Sequence, residues 1–118
     1  MNPETEVLLV LTALPDRASA DVLAARLVEE SLAACVNILA PCGSVYRWRG
    51  KVETAAEIPL LIKTTRTCYP ALEAAVQALH PYEVPELIAL PVTRGLDAYL
   101  DWVAASVTMP NPAPPALP

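Results

Sequence analysis

The chain has 118 residues, a formal net charge of −5 and 54% apolar residues, many of them alanine. That length suits one compact domain with a real core, and no apolar run reaches the about 18 residues a spanning helix needs, so membrane insertion is not expected. The acid excess weighs against nucleic acid and anionic lipid, which need clustered Lys and Arg; Arg47, Arg49 and Lys51 make too small a patch.

Residues 1–5 read as a flexible N-terminus and 6–107 as the folded domain. Val7 to Thr12 is a short, continuous apolar run, the pattern of a strand buried on both faces. It follows Glu4 and Glu6 rather than a basic segment, so a signal peptide is not expected. Pro15-Asp16 stops the run, and Asp16 suits a helix N-cap. Ala20, Leu23, Ala24, Leu27 and Val28 then recur at helical spacing, with Arg26, Glu29 and Glu30 mainly opposite. This predicts an amphipathic helix to about Leu32.

Cys35 to Trp48 reads as strand, interrupted near Pro41-Cys42-Gly43. Val45, Arg47 and Arg49 alternate with Tyr46 and Trp48 at a two-residue period. Arg49-Gly50 punctuates the run. Gly50 suits positive φ in a tight turn, whereas Arg49 is not a preferred partner there. Lys51 to Thr65 resumes as strand, and Pro59 within it predicts an edge, a bulge or a break. A second helix is expected over about Cys68 to Leu79, with Pro70 in its first turn and Leu72, Ala75, Val76 and Leu79 as its apolar stripe. Val84 to Thr93 reads as another strand. Gly95 precedes a last short helix in which Leu96, Tyr99, Leu100 and Val103 share a face. Residues 108–118, with prolines at 110, 112, 114, 115 and 118, read as a disordered, polyproline-like tail.

The order β-α-β-β-α-β-α predicts an α+β fold of the split βαβ kind: βαββαβ plus a C-terminal helix. Two helices on one face of an antiparallel four-stranded sheet leave the other face bare. A bare apolar face needs a cover, so self-association through sheets is expected, with the 35–65 hairpin reaching a neighbour.

Between the second helix and the last strand stands His80-Pro81-Tyr82-Glu83-Val84-Pro85-Glu86, which holds the chain's one histidine. Its prolines fix φ and bias the preceding residues toward extended backbone. Polar groups on so stiff a connector are candidates for a site or an interface. Cys35, Cys42 and Cys68 make an odd count without a C-x-x-C pair. A reduced, cytoplasmic chain with cysteines as small apolar fillers is the expectation.

Five blocks, in order, resemble the CutA divalent-cation tolerance family: Leu32-Ala33-Ala34-Cys35-Val36-Asn37, Tyr46-Arg47-Trp48-Arg49-Gly50-Lys51, Leu61-Ile62-Lys63-Thr64-Thr65, the heptad from His80 to Glu86, and Leu90-Pro91-Val92-Thr93. Together they span about residues 6 to 105. The resemblance implies a ferredoxin-like subunit in a homotrimer, built like the PII signalling proteins, with Tyr46 and Trp48 buried at or near the contact. It also implies a role in tolerance of copper and other divalent cations.

The resemblance further implies copper ligation by a cysteine late in the first strand and by histidines opening the His-Pro motif. Here Leu11 stands at the cysteine position and Leu79 at that of a second histidine, leaving His80. Copper and zinc sites take three or four ligands, so a weak Cu2+ or Zn2+ site would recruit Glu83, Glu86 or symmetry-related groups around His80. Alternatively His80 caps the preceding helix. Tyr82, Glu83, Glu86 and Lys63 are candidates for a ligand pocket at a subunit boundary, or for a structural network stiffening the trimer. No cofactor is required. No serine or cysteine is placed by motif as a nucleophile for His80, so an enzyme is not expected.

Overall fold

The structure, a computed structural model, describes residues 5–108. The proline-rich segment 109–118 and residues 1–4 lie outside the described residues. Thr108, at the edge of the expected tail, is tied to the body: its N–H donates to Ser31 O (2.9 Å) and its carbonyl accepts from Cys68 Sγ (3.3 Å).

Eight elements follow in order: β1 (Val7–Leu14), α1 (Arg17–Glu29), β2 (Cys35–Ile38), β3 (Cys42–Trp48), β4 (Lys51–Thr65), α2 (Tyr69–Leu79), β5 (Ile88–Pro91) and α3 (Asp97–Ser106). The fold is α+β, with five antiparallel strands. The sheet runs β2-β4-β1-β5, and β3 pairs with the outer half of β4.

The sequence predicts four strands; the fifth arises where Pro59 interrupts a ladder. Leu39 N–H donates to Pro59 O (3.0 Å), but proline has no N–H to return. Pairing on that side of β4 therefore stops at Ile38 and resumes at Cys42, opposite Glu57. β4 itself runs unbroken through Pro59, from Lys51 to Thr65; the interruption falls in its partner, between Ile38 and Cys42, near the Pro41-Cys42-Gly43 where the sequence also expects one. The turn after β3 places Arg49 at φ 50 and Gly50 at φ 81. Two successive left-handed residues make the tight hairpin turn whose twist matches the strands, so Arg49 accepts a backbone that glycine or asparagine takes more readily.

Two boundaries differ from expectation. α1 ends at Glu29 rather than near Leu32, because Ser31 turns left-handed at φ 58. Ser31 N–H then bonds Val28 O, and Leu32 N–H bonds Leu27 O, which closes the helix's last carbonyls. The last strand covers Ile88–Pro91 rather than 84–93. Its start is cut back because residues 81–84 are bent, Pro85 lacks a donor, and the Glu86 carbonyl is taken by Thr12 Oγ1 (2.7 Å). At the other end, Asp16 caps α1 as expected, accepting from Ser19 N–H at 2.7 Å.

Strand alternation divides the sheet into two faces. On one, Leu8, Val10 and Leu14 of β1 join Leu60 and Ile62 of β4 in the buried cluster with Leu23, Leu27, Leu72 and Val76 of α1 and α2. On the other, register aligns Leu9 with Leu90, and Leu61 with Leu11 and Ile88. α3 covers only one end of that second face, where Tyr99 Oη meets Cys35 Sγ at 3.6 Å. Ile88 and Leu90 remain 51% and 45% exposed. The open apolar face expected from the sequence is therefore present in the single chain.

Candidate functional site: the groove between the hairpin and the 80–86 connector

The connector leaves α2 through His80, the C-cap, whose backbone N–H still bonds Val76 O (2.8 Å). Its imidazole is buried and engaged at both nitrogens. Nε2 lies 2.7 Å from Ala13 O, and Nδ1 accepts the Tyr82 backbone N–H at 3.1 Å. An Nδ1 that accepts carries no hydrogen, so Nε2–H is the donor to Ala13 O. The Tyr82 ring packs against the imidazole, with centroids 4.9 Å apart.

Tyr82 crosses to the hairpin, where its hydroxyl donates to Glu57 Oε2 at 3.1 Å. Burial first, then the Glu57 carboxylate, pushes the phenol up to about 12 from an ordinary value of 10.0. Further along, the Glu86 backbone carbonyl is held by Thr12, as noted above. At the hairpin tip, Arg49 Nη2 donates to Glu83 Oε2 at 3.1 Å, and its guanidinium carbon lies 5.2 Å from the Trp48 ring centre. The connector is thus fastened to β1 at Ala13 and Thr12, to β4 at Glu57, and to the turn at Arg49.

These ties leave a groove of about 670 Å³ between connector and hairpin. Tyr46, Trp48 and Tyr82 supply its aromatic walls and Glu57, Glu83 and Glu86 its charge, and no Lys or Arg lines it. Its volume falls in the range of small-molecule sites. A second depression of about 580 Å³, at residues 41–45 and 54–56, has no carboxylate, histidine or basic side chain in its lining.

Five of the seven residues singled out from the sequence meet here: Tyr46, Trp48, Tyr82, Glu83 and Glu86. Lys63 does not. It lies six residues along β4 from Glu57, about 20 Å at strand rise, and its ammonium bonds Asn37 Oδ1. His80 lies behind the connector as a structural pin. With both its nitrogens bonded and Glu83 paired to Arg49, the set His80, Glu83, Glu86 does not fit a divalent cation within one chain. Among the described residues, no group of three or more His, Cys, Asp or Glu side chains is placed to hold a metal ion. Sequence reasoning missed Glu57, although it is the one charge in the otherwise apolar stretch 55–62. It also missed Arg49 as the partner of Glu83, a contact across 34 positions that no local pattern announces.

The chain matches the family model described as CutA1 divalent ion tolerance protein over residues 8–106. It is 50% identical over 95 residues to a divalent-cation tolerance protein CutA from Thermus thermophilus, covering 80% of this chain and 92% of the relative. It superposes on CutA1 from Oryza sativa with a TM-score of 0.86 at 41% identity, covering 91% of this chain and 98% of that one. It also superposes on a protein from Archaeoglobus fulgidus titled a periplasmic divalent cation tolerance protein, with a TM-score of 0.83 at 36% identity and coverages of 86% and 99%.

Proposed function

This chain belongs to the CutA1 divalent ion tolerance family, and on that premise we propose that it acts in the response to copper and other divalent cations as a PII-like homotrimer, without catalysis. The observation that carries the trimer is the open sheet face. Leu9, Leu11, Leu61, Ile88 and Leu90 form an apolar surface that its own helices leave uncovered. Apolar faces of this kind mark protein contacts. Sedimentation equilibrium tests it: a species of three times the 12.6 kDa chain is expected, and a well-folded single copy at every dilution overturns the proposal.

Cation contact in this reading is weak and is not centred on His80, whose ring bonds are structural. Calorimetry with Cu2+ and Zn2+ should give equally weak heats for the wild type and His80→Ala. Tight binding that vanishes in the variant would restore His80 as a ligand. A reducing, cytoplasmic compartment is proposed as well, supported by Cys35, Cys42 and Cys68 all being unpaired. Fractionation of the native cells with an envelope-only signal would sink it. Among the described residues, no helix is long and apolar enough to cross a membrane.

The groove favours a second reading, in which the trimer recognises a small molecule and binds no metal specifically. A thermal-shift screen separates the two: stabilisation by an organic ligand and by no divalent cation supports the second.

A further inference from the structure

We propose that the groove between the hairpin and the 80–86 connector binds small aliphatic ammonium ions, such as diamines. The inference deepens the second reading above and rests on it. Three features converge. The walls are aromatic: Tyr46, Trp48 and Tyr82 line the space, and in the single chain Tyr46 and Trp48, the residues expected near the subunit contact, are 42% and 40% exposed. The lining charge is acidic: Glu57, Glu83 and Glu86 line it, and Arg49 reaches it only at the mouth, through Glu83. The groove is also large enough, at about 670 Å³, to admit a short alkyl chain with its ammonium groups.

A bare metal ion would use the carboxylates and leave the rings idle. An inorganic or organic anion would meet repulsion from Glu57 and Glu86, with only the exposed Arg49 beside Glu83 to offset it. A neutral apolar ligand would strip water from carboxylates without compensating them. An alkylammonium ion satisfies both linings: its methylenes pack on the rings, its charge faces ring quadrupoles and carboxylate oxygens together.

The chain supplies its own demonstration of that chemistry at the mouth of the groove. The Arg49 guanidinium rests 5.2 Å from the Trp48 ring centre while donating to Glu83 at 3.1 Å. Both partners of that ion pair are more than two-thirds exposed. Such exposed pairs contribute little, so an incoming ammonium can displace Arg49 cheaply. The other two carboxylates differ in availability. Glu57 is engaged by the Tyr82 hydroxyl, whereas Glu86 is fixed through its backbone carbonyl to Thr12 and keeps its carboxylate for a ligand. Tyr82, donating to Glu57, turns its hydroxyl hydrogen away from a cation and offers its oxygen.

The test is calorimetry on the full chain with 1,4-diaminobutane, against 1,4-butanediol, succinate and Mg2+ at matched ionic strength, with sedimentation run on the same samples. Diaminobutane should bind, butanediol and succinate should not, and Mg2+ should bind more weakly than the diamine. Glu86→Gln, a conservative change on an exposed loop, and Trp48→Leu should each weaken diamine binding by about fivefold or more, the size expected for a lost carboxylate or cation–π contact. Arg49→Gln should bind as well as or better than the wild type. Diamine binding no tighter than that of Mg2+ or butanediol, or undiminished in Glu86→Gln, overturns the proposal. A trimer that binds no diamine removes the groove ligand and leaves the assembly intact. Diamine binding by a single copy removes the assembly and leaves the groove.

Discussion

The two halves of β4 belong to one continuous strand and live in different solvents. From Ile58 to Thr65 the strand runs between β1 and β2, and Leu60, Ile62 and Thr64 are fully buried. From Lys51 to Glu57 its only strand partner among the described residues is β3, and Val52 is 64% exposed. The inner half is stabilised by the chain's own core. The outer half is a two-stranded ribbon, an arrangement that is marginal in water by itself. One strand therefore joins a self-sufficient body to an arm that is tied back to it through the connector.

Paired truncations expose this division most sharply. Ile62→Ala removes a fully buried side chain and should cost about 2–5 kcal/mol in denaturant unfolding. Val52→Ala, on the arm, should change single-chain stability by less than about 0.5 kcal/mol, while shifting the sedimentation profile toward smaller species at low concentration. Equal destabilisation by the two changes would mean that the arm is not a separate region. Next in size is the pin between body and connector. His80→Ala leaves the Ala13 carbonyl and the Tyr82 N–H without their partner, at a cost of about 1–3 kcal/mol. Thermal unfolding of the variant alongside Cu2+ calorimetry distinguishes pin from ligand, since a pin loses stability and leaves metal affinity unchanged.

The body was legible in the sequence because its signals are local and repeated. The apolar run from Val7, the helical spacing of Leu23 and Leu27, and the stripe of Leu72 and Val76 each announce one element and one face. The errors fall where a single residue overrides a pattern. Ser31 ends α1 by a left-handed turn that its neighbours do not encode. Pro85 and the bent residues before it consume the first half of the expected last strand. The candidate site was half legible. A stiff connector flagged Tyr82, Glu83 and Glu86, and alternation flagged Tyr46 and Trp48. Their company is set by contacts between distant positions: Tyr82 with Glu57, Arg49 with Glu83, His80 with Ala13. Lys63, offered for a pocket at a subunit boundary, lies about 20 Å along β4 from Glu57 within one chain.

A smaller effect tests the bridge from connector to arm. Tyr82→Phe removes one hydrogen bond to Glu57 and should cost about 1 kcal/mol. Its pH dependence has a definite sign. The folded phenol is raised from 10.0 to about 12, so folding favours the neutral form. That contribution is fully present below about pH 10 and is lost as pH rises toward 12. In an alkaline titration of phenolate absorbance, the wild type should show a late component that is missing in Tyr82→Phe. A wild type whose tyrosines all ionise together near pH 10 would disconnect the arm from the connector.

The smallest expected effect sits on the body side of the same junction, at Asp16. Its carboxyl is held below the ordinary 3.8, chiefly by the Ser19 backbone N–H and then by the Ser19 side chain. A depressed folded value means that the cap's contribution is present above the ordinary carboxylate range and is lost as pH falls through the folded value. The Tm difference between wild type and Asp16→Ala should therefore be constant near neutrality and shrink on acidification. Asp16 also contributes, after burial, Glu57 and Tyr46, to raising Tyr82. Asp16→Asn, which keeps a capping oxygen and removes the charge, should move the late tyrosine ionisation slightly downward while leaving α1 folded. A cap variant that melts α1 without touching Tyr82, or a Tyr82 titration indifferent to Asp16, would show that body and groove are electrically independent.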